Sequence, residues 1–182
     1  MSVNIIYFVH GTTTDNENCK ATGHNQGTLS RLGVIQVTEL RKKVDYDKID
    51  FVICSDLQRA IDSANILFIN KKQIIQDNRI RECDYGDLNG EDKALVKDKE
   101  HIEIPYPNGE SMKDVERRMR EFCNDILKKY NGKTIALVAH KAPQLALDVI
   151  TKNISWEEAI EKDWRKTGNW QPGWEYVIND NF

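Results

Sequence analysis

The fold is decided by residues 5–13, whose sequence is IIYFVHGTT. A short run of apolar, β-branched and aromatic residues fills its first half and predicts a buried strand over residues 4–9. Residues 11–28 are rich in Thr, Asn, Asp and Gly and predict a loop of 18 residues, a length that in compact domains is usually functional or disordered. His10 therefore stands where a buried strand opens into a long polar loop.

Outward from this stretch, strand patterns and helix patterns alternate along the chain. Short apolar runs predict strands, and apolar residues spaced three and four apart behind capping residues predict helices. Such alternation is typical of an α/β domain with a largely parallel central sheet. The further predicted strands are residues 51–54, 74–75, 134–139 and 174–178. The predicted helices begin at Ser30, Ser55-Asp56, Ser111, Pro143 and Ser155, and the first is expected to carry Val34, Val37, Leu40 and Val44 on one face.

Two histidines follow predicted strands directly. His10 follows the first strand, and His140 follows the strand over residues 134–139. In parallel α/β sheets, ligands bind beyond the carboxyl ends of the strands. We therefore expect both histidines on the same rim of the sheet, beside an active site.

Length and charge narrow the classes of function. The 182 residues fit one domain, residues 1–182, and the composition of 40% apolar and 30% charged residues is that of a globular protein. The net charge of −3 provides no basic excess for a phosphate backbone, so we expect no nucleic-acid partner. An anionic ligand would have to be attracted by a local cluster of cations.

Localisation is predicted from apolar runs and cysteine spacing. The apolar run at residues 5–9 is too short for a membrane span or a signal-peptide core, so we expect no membrane partner. The cysteines, at positions 19, 54, 83 and 123, are scattered and form no Cys-x-x-Cys pair. Reduced thiols fit this spacing better than disulfides, and no cysteine has a second ligand at zinc spacing. We predict a cytoplasmic protein with neither metal nor other cofactor.

Six short motifs occur in the order typical of one enzyme family. The motifs are FVHGTT (8–13) followed by Asn16, GHNQGTLSRLG (23–33), CSDLQRA (54–60), RECDYGDLNG (81–90), PNGES (107–111) and VAH (138–140). Together they make the chain resemble the histidine phosphatase superfamily, also called phosphoglycerate mutase-like. The resemblance runs from residue 5 to residue 140 and implies a three-layer α/β/α sandwich around the largely parallel sheet.

The resemblance implies a metal-independent phosphatase that acts on a small phosphorylated metabolite. His10 would attack phosphorus and form a phosphohistidine, which suits a neutral imidazole because its pKa lies near neutrality. Arg59 would hold two phosphate oxygens, and His140 would stabilise the charge of the transition state. Glu82 would protonate the leaving oxygen and then activate water. The further phosphate-binding residues expected from the motifs are Asn16 and Gly11.

One position departs from the family pattern. The family carries an arginine immediately before the nucleophilic histidine, whereas this chain has Val9, which cannot donate a hydrogen bond to phosphate. Loss of one preorganised donor costs about 2.7–4 kcal/mol of transition-state stabilisation. Our hypothesis is that Lys141 binds phosphate and supplies the missing charge, with Lys20, His24 and Arg31 as further candidates.

Two other functions stay open at this point. Phosphoglycerate mutase-type phosphoryl transfer would use the same fold, but Cys83 stands where the mutases have an arginine that helps to hold a substrate carboxylate. A phosphate-binding pseudo-enzyme with little turnover would follow from Val9. A phosphomonoester hydrolase remains the favoured function.

The four tryptophans all fall in the last 27 residues of the chain. Aromatic side chains bury large areas, so the favoured interpretation is that they hold the C-terminal segment against the core. The alternative is that Trp164-Arg165 and the segment from Trp170 to Trp174 close over the substrate.

Overall fold

A five-stranded sheet forms the centre of the computed structural model, which describes residues 1–180. Its strands are β1 (Ser2–Val9), β2 (Phe51–Cys54), β3 (Ile74–Gln76), β4 (Thr134–Ala139) and β5 (Trp174–Asn179). They lie in the order β3-β2-β4-β1-β5. The first four are parallel, and β5 runs antiparallel to β1. The largely parallel sheet is confirmed, while the last two residues of the predicted domain lie outside the described residues.

Helices cover both faces of this sheet. They are α1 (Thr14–Glu17), α2 (Arg31–Arg41), α3 (Gln58–Phe68), α4 (Met112–Lys129), α5 (Lys141–Lys152), α6 (Trp156–Glu161) and α7 (Trp164–Thr167). Along β1, side chains alternate between the faces, as a strand requires. Phe8 packs in a cluster with residues of α2 and α3, whereas Ile5 and Tyr7 pack with residues of α4 and α5. The predicted α/β/α sandwich is therefore confirmed.

The longest helix, α4, shows why these segments fold as they do. Ser111 accepts a hydrogen bond from the backbone N–H of Asp114, whose carboxylate accepts one from the N–H of Ser111, so the predicted capping box is present. Met119 and Phe122 on its apolar face are fully buried. The helix thereby covers one face of the sheet with an apolar stripe.

Several predicted boundaries are wrong by a few residues. β1 begins at Ser2, and α1 interrupts the predicted loop of residues 11–28. The helix predicted at Ser55-Asp56 begins at Gln58. The helix predicted from Pro143 begins at Lys141, because a proline is tolerated in the first turn, where backbone N–H groups have no helical partner.

The face predicted for α2 also needs correction. Val37 and Leu40 are buried, but Val34 is 43% exposed. Residues three apart drift by about 60° per step around a helix, so Val34 and Leu40 do not share one face. Val44 follows the end of the helix and packs against the same core cluster from the connecting segment.

Candidate active site

A cavity of about 910 Å³ lies where β1 and β4 end. All predicted site residues except His140 line it: His10, Gly11, Asn16, Arg59, Glu82 and Lys141. His140 packs beside His10, and their ring centroids are 5.1 Å apart. A smaller cavity of about 440 Å³, lined by Asp56 and residues 76–79, contains neither histidine. The strand ends thus bring the predicted residues together at one place.

His10 is held with one ring nitrogen available for chemistry. Its Nδ1 lies 2.7 Å from the carbonyl oxygen of Gly11. Because a carbonyl oxygen can only accept, Nδ1 carries the proton and Nε2 presents its lone pair. Nε2 accepts a 3.3 Å hydrogen bond from Nε of Arg59. Burial and the charge of Arg59 lower the pKa of His10 to about 3, so the ring is neutral at neutral pH.

Arg59 is a fully buried arginine in the first turn of α3. Its Nη1 donates to the carbonyl of Asn25 at 2.7 Å, and Nη2 donates to the carbonyl of Gly23 at 2.8 Å. These bonds to the long loop orient the guanidinium so that Nε faces His10. A buried cation at a helix N-terminus is unfavourable by itself, and burial lowers the pKa of Arg59. An anion bound here would offset that cost.

His140 is buried with both ring nitrogens unpaired. Neither Nδ1 nor Nε2 has a hydrogen-bond partner in residues 1–180, and the residue is 0% exposed. Among buried side chains of the same range, only the hydroxyl of Thr22, which lines the cavity, is likewise unpaired. Such a group costs about 1–3 kcal/mol when left unsatisfied. These atoms are therefore placed to bond a ligand bound beside His10.

The backbone of His140 is fixed by Tyr7, a residue that the sequence did not single out. The Tyr7 hydroxyl donates to the carbonyl of His140 at 2.6 Å and accepts from its N–H at 3.1 Å. Burial, followed by the charge of Arg59, lowers the pKa of His140 well below its usual value. The second histidine is thus a rigidly placed, neutral ring.

Glu82 is buried, and its carboxylate lies against the first residues of α5. Its Oε1 accepts from the N–H groups of Cys83 at 3.0 Å and Ala142 at 2.8 Å, and Oε2 accepts from the N–H of Lys141 at 3.1 Å. A carboxylate offers about four acceptor sites, so one site on Oε2 stays free. The carboxyl group is therefore held in place while one lone pair can take part in proton transfer.

Arg118 of α4 holds the segment that carries Glu82. Its guanidinium donates to the carbonyls of Arg79, Arg81 and Glu82 at 2.6–2.8 Å and to the carboxylate of Glu110. The sequence contains no signal for this role, because Arg118 stands in an amphipathic helix like any polar residue.

The other predicted phosphate ligands have partners of their own. Oδ1 of Asn16 accepts from the N–H of Thr13 at 3.1 Å, which leaves its NH₂ group as a donor. The N–H of Gly11 donates to the hydroxyl of Ser63. Nζ of Lys141 lies 2.6 Å from Asp98. Burial alone would lower the pKa of Lys141, but the charges of Asp98 and Glu82 raise it above its usual value.

Of the three further candidates for the missing cation, one lines the cavity and two lie outside its lining. Lys20 lines the cavity. His24 Nε2 donates to the carbonyl oxygen of Glu82 at 2.9 Å, and His24 Nδ1 lies 3.4 Å from the carboxylate of Asp84. Arg31 is an exposed residue at the start of α2.

The tryptophans have two different environments. Trp156 is buried, and its Nε1 donates to Glu116 at 2.8 Å, so packing is the correct interpretation for this residue. Trp174 packs against the core cluster, and Trp164 stacks on it with ring centroids 4.9 Å apart. Trp164 and Trp170 also line the cavity together with Arg165. The reason is the direction of β5: an antiparallel strand beside β1 must begin at the carboxyl end of β1, so the preceding residues cross the cavity mouth.

This arrangement can be compared with known proteins. The family model of the histidine phosphatase superfamily, branch 1, matches residues 6–174. The chain belongs to the histidine phosphatase superfamily. A relative within it, the 2,3-bisphosphoglycerate-dependent phosphoglycerate mutase of Allorhizobium ampelinum, is 30% identical over 174 residues, covering 84% of this chain and 82% of the relative.

Other members of the superfamily are phosphatases. Phosphoserine phosphatase 1 of Hydrogenobacter thermophilus is 24% identical over 156 residues, covering 80% of this chain and 74% of the relative. The structure of mycobacterial glucosyl-3-phosphoglycerate phosphatase superposes with a TM-score of 0.76 at 23% identity, covering 87% of this chain and 85% of that chain, and shows the shared fold. The family and its members support an enzyme of phosphatase or phosphotransferase type.

Two further properties concern only the described part of this superfamily member. Within residues 1–180, no group of three or more His, Cys, Asp or Glu side chains is arranged to hold a metal ion. Among the helices of the same range, none is both long and apolar enough to cross a membrane. The cytoplasmic location stays a prediction.

Proposed function

We propose that this protein is a metal-independent phosphatase that hydrolyses a small phosphomonoester through a phosphohistidine on His10. The observation that carries the proposal is the lone pair of His10 Nε2, which faces the guanidinium of Arg59 at 3.3 Å inside the cavity. The buried, unpaired ring of His140 lies beside it. A neutral nucleophile flanked by cationic and neutral donors suits attack on an anionic phosphorus centre.

In the first step, Nε2 of His10 forms a bond to phosphorus as the bond to the leaving oxygen breaks. Arg59 exchanges part of its contact with His10 for the phosphate oxygens, and the ring of His140 donates a hydrogen bond to one of them. Glu82, protonated at the free site of Oε2, gives its proton to the leaving alcohol. The alcohol is released, and the phosphoryl group stays on His10.

In the second step, water attacks phosphorus and the nitrogen–phosphorus bond breaks. The Glu82 carboxylate accepts the proton of this water, which restores the acid, and inorganic phosphate leaves. His10 keeps Nδ1 protonated throughout, because the Gly11 carbonyl accepts from it. No metal ion takes part in either step.

The remaining phosphate ligands with a side-chain donor in the cavity are Asn16 and Lys141, and the free NH₂ group of Asn16 is a suitable donor. Gly11 also lines the cavity, but its N–H already donates to Ser63. The cavity also has room for the organic part of a phosphorylated metabolite. Phosphoserine and 3-phosphoglycerate derivatives are reasonable first substrates, since superfamily members are named for them.

A phosphoglycerate mutase-type transfer is the second candidate, favoured by the mutase relatives. In this chain, however, Cys83 is fully buried in the core, at the position where the mutases have an arginine that contacts substrate. A residue buried there cannot hold a substrate carboxylate in the cavity. We therefore place hydrolysis first.

The decisive experiment incubates the pure protein with a panel of phosphomonoesters, with and without a chelator, and measures phosphate release. The panel contains p-nitrophenyl phosphate, phosphoserine and 3-phosphoglycerate, the last also with 2,3-bisphosphoglycerate to detect mutase activity. The H10A variant serves as the inactive partner, and His101→Ala, outside the cavity, as its matched control.

We expect chelator-resistant release that requires His10 but not His101. Isomerisation of 3-phosphoglycerate without net release would favour the mutase. Phosphate binding without any turnover would favour a pseudo-enzyme, and release that the chelator abolishes would contradict the metal-free mechanism.

A further inference from the structure

Arg165 brings a second guanidinium into the cavity that contains His10. It is the second residue of α7, on the segment between α6 and β5, and it lines the cavity with Val9, His10 and Arg59. Its side chain is 23% exposed. The cavity therefore contains a cationic side chain that none of the six motifs includes.

Buried neighbours hold the Arg165 side chain in place. Nη1 donates to Asp163 at 2.8 Å and Nη2 donates to Gln144 at 3.2 Å, and these two partners are 7% and 2% exposed. Cζ lies 4.5 Å from the ring centroid of Trp164, which stacks on Trp174 with centroids 4.9 Å apart. A guanidinium has five N–H donors, so donors remain for an anion.

The stacked pair of Trp164 and Trp174, which supports Arg165, lies beside the end of β1. Trp174 pairs with Tyr7 across the β1–β5 ladder. Val9 lies two residues further along β1 and so shares the face of Tyr7. Val9 and Trp174 also pack against the same core cluster. The Trp164–Trp174 stack therefore places Arg165 on the face of the sheet toward which Val9 points.

The electrostatics of His10 agree with this placement. After burial, the charges that lower the pKa of His10 are those of Arg59 and Arg165. The pKa values of Lys141 and Tyr7 are both raised overall, and the charge of Arg165 opposes that rise in each. Arg165 thus acts electrostatically on residues near the nucleophile.

Lys141, the candidate from the sequence, is a weaker replacement for an arginine. Its ammonium lies 2.6 Å from Asp98 and is a single point charge. A guanidinium can instead hold two phosphate oxygens with a planar pair of N–H groups. Arg165 therefore provides the guanidinium group that this chain lacks at position 9.

We propose that Arg165 is the second phosphate-binding arginine of this enzyme, and that it performs from the C-terminal segment the task that the family assigns to the arginine before the nucleophile. The arginine that is absent at position 9 is then replaced by one at position 165. This inference rests on the proposed function, because it assumes that phosphate binds beside His10.

The test compares R165Q, V9R and the V9R/R165Q double variant, with R117Q, on an exposed side chain of α4 outside the cavity, as the matched control. For each we would measure kcat/KM with p-nitrophenyl phosphate, the Kd of inorganic phosphate by calorimetry, and Tm. We expect R165Q to lose about 10²–10³-fold in kcat/KM and to bind phosphate more weakly. R117Q should stay within about fivefold of the wild type.

Rescue separates phosphate binding from a structural role. If Arg165 binds phosphate, adding V9R to R165Q should raise kcat/KM to at least roughly a tenth of the wild-type value, because β1 then supplies a guanidinium. In the wild-type background V9R should give no gain above about threefold, since two arginines would compete for one place. This second measurement does not depend on the folding of an Arg165 variant.

The outcomes are distinct. A tenfold gain from V9R alone, an R165Q variant like the wild type, or a loss that V9R does not rescue would each overturn the inference about Arg165 and leave the phosphatase standing. A wild-type protein that neither releases nor binds inorganic phosphate would overturn the proposed function, and the inference with it.

Discussion

The inner end of the cavity and its rim hold their functional side chains in different ways. At the inner end, Arg59 is bonded to main-chain carbonyls of the long loop, and the backbone of His140 is bonded to the Tyr7 hydroxyl. At the rim, Arg165 is bonded to the side chains of Asp163 and Gln144 and stacks on Trp164.

The two kinds of contact, to main-chain and to side-chain atoms, should differ in how well they tolerate amino-acid substitutions. Main-chain contacts of the inner end survive most substitutions of the loop residues, whereas each contact of the rim depends on one particular side chain. An enzyme built this way can alter its rim while its nucleophile stays in place. Substitutions at the inner end should therefore have large effects, and substitutions of the side chains that support Arg165 at the rim should have smaller, graded ones.

The largest effect is expected from R59K at the inner end. A lysine cannot reproduce the planar fork that faces both His10 and the loop carbonyls, so we expect kcat/KM to fall about 10²–10³-fold. R117K, on an exposed side chain of α4, is the matched control. Steady-state kinetics with p-nitrophenyl phosphate would measure both, and a loss below tenfold would mean that the inner end does not hold the phosphate.

The next effect is expected from E82Q, which removes the proposed acid. With phosphoserine, whose alkoxide leaving group needs a proton, kcat/KM should fall by about 10²-fold. With p-nitrophenyl phosphate, whose leaving group is stable as an anion, the loss should be smaller. E121Q, exposed on α4, provides the control. Equal losses for both substrates would remove Glu82 from the role of acid.

Protonation of His10 at the inner end should also change the free energy of unfolding. The pKa of His10 is lowered to about 3 in the folded protein, whereas that of an unfolded histidine is about 6.5. Between these values the unfolded chain binds more protons, so folding stability is present above pH 6.5 and is lost as the pH falls. Relative to the H10N variant, the wild type should lose about 1.4 kcal/mol per pH unit in this window.

Urea unfolding of both proteins at several pH values between 4.5 and 6.5 would measure this difference, and H101N would control for a histidine outside the cavity. Carboxylates titrate alike in all three proteins and cancel in the comparison. If wild type and H10N lose stability in parallel, His10 is not a buried neutral base.

The smallest effect is expected at the rim. W164F removes the hydrogen bond from Trp164 Nε1 to Gln144, 3.1 Å long, and weakens the surface on which Arg165 stacks. We expect a three- to tenfold fall in kcat/KM, about 1 kcal/mol. W170F changes a cavity tryptophan that contacts Lys43 instead, so it should have less effect. The same fall in both variants would show that aromatic area, not support of Arg165, matters at the rim.

The sequence predicted the inner end better than the rim for a physical reason. His10, His140 and Arg59 directly follow strands or open helices, so local patterns place them at one edge of the sheet. Residues 163–170 reach the cavity only because β5 pairs antiparallel with β1, and a local pattern does not reveal a strand's partner or direction.

Arg118 and Tyr7 were missed for a related reason. Both lie within regular elements whose patterns the sequence predicted, yet their polar atoms serve segments that are distant along the chain. Only tertiary packing brings the Arg118 guanidinium to the Glu82 carbonyl and the Tyr7 hydroxyl to the His140 backbone.

In the proposed mechanism His10 carries the phosphoryl group during turnover. The most direct test is to quench the reaction with p-nitrophenyl phosphate at early times under alkaline conditions and to map the protein by mass spectrometry. We expect one phosphoryl group on His10, labile in acid and absent from H10N. Turnover without any phosphorylated protein, or with the phosphoryl group on another residue, would contradict it.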